Sequence, residues 1–204
     1  MTPLFLHGFS QPMRFASGFV STFLLLSLLT AAGVASQFEG HITNVNGEHV
    51  KFTDRKFKKS YALTSDDDFT KKVVVRLKKN DFLSFEGGKN VTNKSLLRID
   101  SINYVGLSDL MGVWTGDDKY CYKFTSYTEF IIYPNQGDCL KKPVDTPREF
   151  AYTVNAADED WFMLLSDNGA RYAADLKFNN CRSAEINLYD ANTGNSLRLI
   201  KLTK

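Results

Sequence analysis

Apolar positions in this chain fall into two regimes. Residues 15–35, FASGFVSTFLLLSLLTAAGVA, form an unbroken uncharged apolar run preceded by Arg14, whereas beyond residue 36 apolar and polar positions alternate in short stretches. Alternation with a period of two puts successive side chains on opposite faces of a strand, so the second regime predicts half-buried β-strands. The expected strands are 38–45, 48–53, 61–64, 73–77, 82–87 and 96–104, with a short helix or loop through DDDFTKK; then 112–115, 119–126, 129–133, 150–154, 161–165, 171–178, 183–189 and 197–202. The pattern is plainest where Tyr120, Tyr122 and Phe124 alternate with Cys121 and Lys123, and where Tyr172, Ala174, Leu176 and Phe178 alternate with Arg171, Asp175 and Lys177. Together with Phe150 and Tyr152, these rings are expected to fill the interior of the later strands. FIIY (130–133) and WFMLL (161–165) are continuous, which implies cover on both faces. The first half of the chain, a partner protein or a ligand could supply it, and the first half is the expected cover.

Asn46-Gly47 separates the first two strands and reads as a two-residue hairpin turn. Pairing through it sets Val45 opposite Glu48, Thr43 opposite Val50 and His41 opposite Phe52, while Asn44 faces His49. The two imidazoles are therefore expected on opposite faces, unable to share an ion.

Small residues Ala32, Gly33, Ala35 and Ser36 close the apolar run, the ending of a secretory leader. Residues 1–36 are read as a signal peptide, cleaved after Ser36 or Ala35, and Met13 is a candidate start because Met13-Arg14 plus the run already makes a compact leader. An uncleaved anchor is the alternative, since about 20 apolar residues can cross a bilayer. It is the only membrane contact expected. Export to the periplasm or the exterior follows.

The exported part changes character midway. Residues 37–108 contain no proline and carry 13 Lys+Arg against 9 Asp+Glu; residues 109–204 carry 11 against 14 and hold Pro134, Pro143 and Pro147. A boundary is placed in 106–112. Residues 37–108 resemble an OB-fold, a small five-stranded barrel, in the segment LKKNDFLSFEG, where Leu77, Asn80, Asp81, Phe82, Ser84 and Gly87 stand at the positions that set up the fourth strand. Residues 109–204 resemble a lipocalin-like up-and-down barrel in their opening GVWTG and closing SLRLIKL. That resemblance implies a tryptophan plugging one end under a basic residue, here Trp114 and Arg198. The fold class is all-β: a five-stranded OB-like barrel, then an antiparallel up-and-down β-barrel of about eight strands.

Chemistry-bearing residues are sparse. The formal net charge of +2 gives no strong overall field. With His41 and His49 the only histidines after the leader, a Ser-His pair cannot come from the second half alone. Carboxylates occur in runs, Asp66, Asp67 and Asp68, then Asp117 and Asp118, then Asp158, Glu159 and Asp160, in expected loops where solvated turn residues are the plainer reading. DANTGN (190–195) faintly echoes a calcium loop but fits a hairpin turn better. No catalytic residue, metal site or cofactor is assigned. If the later strands run up and down in order, Cys121 and Cys139 reach the same end and pair, leaving Cys181 a free, buried, inert thiol.

The candidate binding surface is a basic, aromatic stretch: Arg55, Lys56, Phe57, Lys58, Lys59, Tyr61, Lys71 and Lys72. On an OB-like barrel this mixture fits single-stranded nucleic acid, but export argues against it, and a polyanionic envelope component fits the charge equally. The function expected is an exported, non-enzymatic binding protein presenting a rigid β surface to an envelope component or protein partner. A lipocalin-like carrier of a small apolar ligand is the second reading, a carboxylate-dependent hydrolase the third. Oligomeric state is open.

Overall fold

The computed structural model describes residues 36–141, 143 and 146–204. The expected leader, with Met13 and Arg14, lies outside the described residues. Thirteen strands follow in order: β1 (Ser36–Asn46), β2 (His49–Asp54), β3 (Ser60–Thr64), β4 (Phe82–Lys89), β5 (Leu96–Gly106), β6 (Gly112–Gly116), β7 (Tyr120–Phe124), β8 (Glu129–Pro134), β9 (Arg148–Ala156), β10 (Trp161–Asp167), β11 (Ala170–Asn180), β12 (Ser183–Asp190) and β13 (Ser196–Thr203). Among the described residues one helix, α1 (Asp68–Arg76), lies between β3 and β4, and a 3-10 turn, Ser108–Leu110, between β5 and β6.

Pairing draws two closed circuits. The later eight strands pair antiparallel in chain order and β13 returns to β6, giving an eight-strand up-and-down barrel. The earlier five run β1-β2-β3-β5-β4 and back to β1, with β3 and β5 parallel. A single registered pair, Val105 with Val154, joins β5 to β9. One cluster of buried side chains runs through both circuits from Phe38 to Leu202, so the chain from Gln37 contains this core. The barrel interior is filled: Phe124 stacks on Phe130 at 4.9 Å, Phe130 on Phe150 at 5.0 Å, and Tyr152 meets both edge-on. Tyr120, expected inside, is exposed at the barrel rim.

Three expectations are corrected. The stretch 73–77 is not a strand, because α1 continues through it. Asp67 caps the helix by accepting from the Thr70 backbone N–H at 2.7 Å. Val73, Val74 and Leu77 then share the buried face while Val75 is exposed, so a β-branched run that favours strands is overridden by the cap and by burial.

The first hairpin is also displaced by one residue. Asn46 pairs with His49 and Val45 with Val50, leaving Gly47 and Glu48 as the turn, and a bulge at Thr43 brings His41 opposite Thr53. Only Gly47 takes a positive φ, +58°, at the first central position, where a primed turn demands glycine. Both imidazoles therefore lie on the outer face, exposed beside buried Ile42 and Val50. About four residue rises along β2 separate His49 from the pairing position of His41, roughly 13 Å.

Apart from Trp161, whose ring lies 4.4 Å from the Arg76 guanidinium of α1, the two continuous apolar runs are not covered by the first half of the chain. Ile131 and Tyr133 face outward into a small cluster with Val113, Cys121 and Cys139, roofed by the chain's own loop after β8. In WFMLL the alternation holds: Trp161, Met163 and Leu165 are buried while Leu164 is 47% exposed. Continuous hydrophobicity hid an ordinary two-faced strand.

Candidate binding surface and the junction

Asp54 builds the β2–β3 turn. Its side chain accepts from the Phe57 backbone N–H at 2.5 Å, its carbonyl from Lys58 at 3.0 Å, and its own N–H donates to Lys59 at 2.9 Å. Lys58 takes a φ of +55° to complete the turn. With the backbone satisfied inward, Arg55, Lys56, Lys58 and Lys59 all project into solvent, and Phe57 is 55% exposed at the tip.

The rest of the expected patch divides. Tyr61 is buried, on the core face of β3 with Leu63, and so is no surface residue. Lys71 and Lys72 are exposed on α1, which follows the far end of β3, and Lys71 is engaged with Asp68 at 2.8 Å. They do not join the turn. A residue the sequence reading missed does: Lys89, ending β4, brings its Nζ to 5.9 Å from the Phe57 ring and 5.8 Å from the Tyr61 ring, while Lys56 sits 5.3 Å from Phe57. The strand order of a five-stranded barrel places the end of β4 at the same end as this turn, and that was the available signal.

The opposite end of the first circuit meets the barrel. Arg76 donates to the carbonyls of Ala157 at 2.7 Å and Asp160 at 2.6 Å, with its guanidinium 4.4 Å from the Trp161 ring. Asp81 accepts from the Lys78 N–H, the Ser108 N–H and the Ser108 hydroxyl, each at 2.7 Å. Asn80 before it takes a φ of +76°, and a Cβ on Gly87 would lie 1.9 Å from the Arg98 carbonyl oxygen. The segment Asn80-Asp81 to Gly87 is thus fixed by backbone demands. Arg76, Lys78, Asp81, Asp109, Trp161 and Phe178, with Leu107, line a crevice of about 20 Å³, room for one water. Its charged groups are spent on the junction itself.

Burial pushes the Asp81 carboxyl above its ordinary value, although the Ser108 and Lys78 donors pull it down. The folded state therefore takes up this proton before the unfolded chain does. This contribution to stability is full below the ordinary carboxylate range and is lost as pH rises through the raised value. Asp81→Ala strips two backbone N–H groups of their acceptor, and a loss of about 2 kcal/mol in urea unfolding is expected. An unchanged midpoint would show that the junction does not depend on this carboxylate.

A second tie is aromatic. Tyr127, in the β7–β8 turn, donates to the Asn80 carbonyl at 2.8 Å, accepts at its own carbonyl from the Tyr104 hydroxyl, and lies 6.0 Å from Phe82 and 6.1 Å from His41, ring to ring. Burial raises both tyrosines, keeping them neutral donors.

Trp114 is fully buried and donates its indole N–H to the Leu110 carbonyl at 2.8 Å. The cation over its ring is Lys204, Nζ 4.6 Å from the centroid, not Arg198. Arg198 instead pairs at 3.5 Å with the buried Asp118, which also accepts from the Tyr122 hydroxyl at 2.6 Å. Burial lowers the Lys204 ammonium. The residue just past β13, rather than the basic residue inside it, reaches the plug.

The carboxylate runs are dispersed. Asp67 caps α1, Asp117 accepts from the Lys201 N–H, and Asp190 closes the DANTGN turn by accepting from Asn192 and Thr193. The 117–118 and 158–160 turns lie at opposite ends of the barrel. Among the described residues no three His, Cys, Asp or Glu side chains are grouped to hold a metal ion. Cys121 and Cys139 form a disulfide, and Cys181 is free but exposed in the β11–β12 turn rather than buried. No family model, no curated protein and no solved structure matches this chain.

Proposed function

We propose that this is an exported, non-enzymatic binding protein that presents the basic end of an OB-like first barrel to an anionic component of the cell envelope. The observation that carries the reading is the turn 55–59, where four cations and an exposed ring are held outward by a buried aspartate whose N–H, carbonyl and one carboxylate oxygen bond within the turn. The five-strand circuit, with its parallel β3–β5 pair and a helix between β3 and β4, supports the OB-like assignment. The disulfide supports an oxidising compartment. Stacked rings in the barrel interior count against a carrier, since an apolar ligand would have to displace Phe124, Phe130 and Tyr152.

The test is sedimentation of the chain from Gln37 with native envelope fragments, against the variant Lys56→Glu/Lys58→Glu/Lys59→Glu. The wild type is expected in the pellet and the variant in the supernatant. Equal pelleting of both would remove this surface from the function.

A further inference from the structure

Three elements reach the same end of the first circuit: the chain enters at Ser36, β2 turns into β3 through residues 55–59, and β4 passes to β5 through residues 90–95. The pairings require this, because Ser36 lies opposite Gly87 in β4 and the Arg55 N–H bonds the Glu39 carbonyl of β1. Arg55, Lys56, Lys58, Lys59, Lys89 and Lys94 are the charged residues of 55–59 and 89–95, and neither segment contains an acid. None of the six is in an ion pair among the described residues. Of the nearest carboxylates, Asp54 is 2% exposed and accepts from the Phe57 N–H, while Glu39 is exposed on β1 and accepts from the Gln37 side-chain amide at 3.0 Å. Two apolar side chains stand proud of this field, Phe57 at the tip of one loop and Val91, 96% exposed, at the tip of the other.

Apolar tips ringed by uncompensated cations differ from a surface built for a soluble polyanion. A polyanion in solution is satisfied by charge and offers nothing for an isolated valine. At a bilayer, headgroup phosphates meet the cations while the apolar tips enter the acyl boundary. Position agrees with charge: the patch lies at one end of the first circuit, and the barrel β6–β13 is attached at the other.

We infer that the end formed by residues 55–59 and 89–95 docks on the surface of an anionic lipid bilayer, with Phe57 and Val91 inserted among the headgroups. This deepens the proposed envelope binding by naming its partner. It holds for the cleaved chain as well, because the contact comes from the folded surface and not from the leader.

The probe is a set of vesicles, phosphatidylcholine alone or mixed with phosphatidylglycerol, sedimented with the chain from Gln37 at low and high salt. Binding is expected to the anionic vesicles only, and to weaken with salt. Each cation near such a surface strengthens binding about fivefold, so Lys56→Glu/Lys58→Glu/Lys59→Glu is expected to weaken it at least a hundredfold. Phe57→Ser/Val91→Ser, which leaves every charge in place, is expected to weaken it about tenfold. All the altered positions are exposed, so thermal unfolding of each variant checks that the fold is kept. Equal binding to neutral vesicles, or full binding by the serine variant, overturns the inference. If vesicles fail while native envelope fragments still pellet the wild type and not the charge variant, the inference falls and the proposed function stands. If both fail, both fall.

Discussion

Trp114→Ala is expected to cost 3–5 kcal/mol, the usual range for deleting a buried large ring, and so to leave a small domain with little stability in reserve. The side chain is fully buried where the barrel closes, and its removal does three things. It opens a cavity between β6 and Phe178, whose ring centroid lies 6.4 Å away. It leaves the Leu110 carbonyl in the 3-10 turn without its donor. It also takes the aromatic face from under Lys204, whose ammonium is already partly desolvated. Guanidinium unfolding is the measurement, with Trp114→Phe as control: the phenyl keeps most of the volume and loses the N–H, so its cost is expected to be smaller. A loss under about 1 kcal/mol for alanine would mean that the site collapses without cost and that the ring is not a plug.

Removing the disulfide by Cys121→Ser/Cys139→Ser is expected to cost about 3 kcal/mol, from the chain-entropy estimate for a loop closed across a separation of 18 residues. Packing compounds the effect, because the two sulfurs sit with Tyr133, Val113 and Ile131 in a cluster apart from the main core. The Tyr133 hydroxyl donates to the Cys139 carbonyl at 2.5 Å, so loosening the loop exposes that ring as well. Equilibrium unfolding with and without reductant reads the cost. Cys181→Ser, in an exposed turn, is expected to be silent. Equal stability of the oxidised and reduced chains would show that the loop holds by packing alone.

The eight later strands were legible because each is bounded by turn residues and all but FIIY and WFMLL alternate, and the ordered barrel then placed Cys121 beside Cys139. What the pattern could not show was tertiary choice. Val73 to Val75 favour a strand locally, and only the Asp67 cap with the buried Val73 and Val74 makes them helical. FIIY and WFMLL look alike in sequence, yet a loop roofs one and water meets the other. Register at the first hairpin turned on whether Asn-Gly or Gly-Glu forms the turn, a difference of one residue that, with the bulge at Thr43, brings both histidines to one face. In the candidate surface the turn 55–59 was visible as a charge run. Its true neighbours Lys89 and Lys94 are distant in the chain and came only with the strand order, as did the loss of Tyr61 to the core.

Both circuits close on themselves, and the seam between β6 and β13 is lengthened beyond its two registered pairs by Asp117, whose N–H and side chain both meet Lys201. Among the described residues each strand has a neighbour on both sides, but from Ser196 to Ile200 the edge of β13 that faces β6 has no registered partner. A companion polypeptide attaching by strand addition, as pilus subunits and growing amyloid do, would have that short stretch as its template. Away from that stretch the closed ladders leave recognition to loop tips.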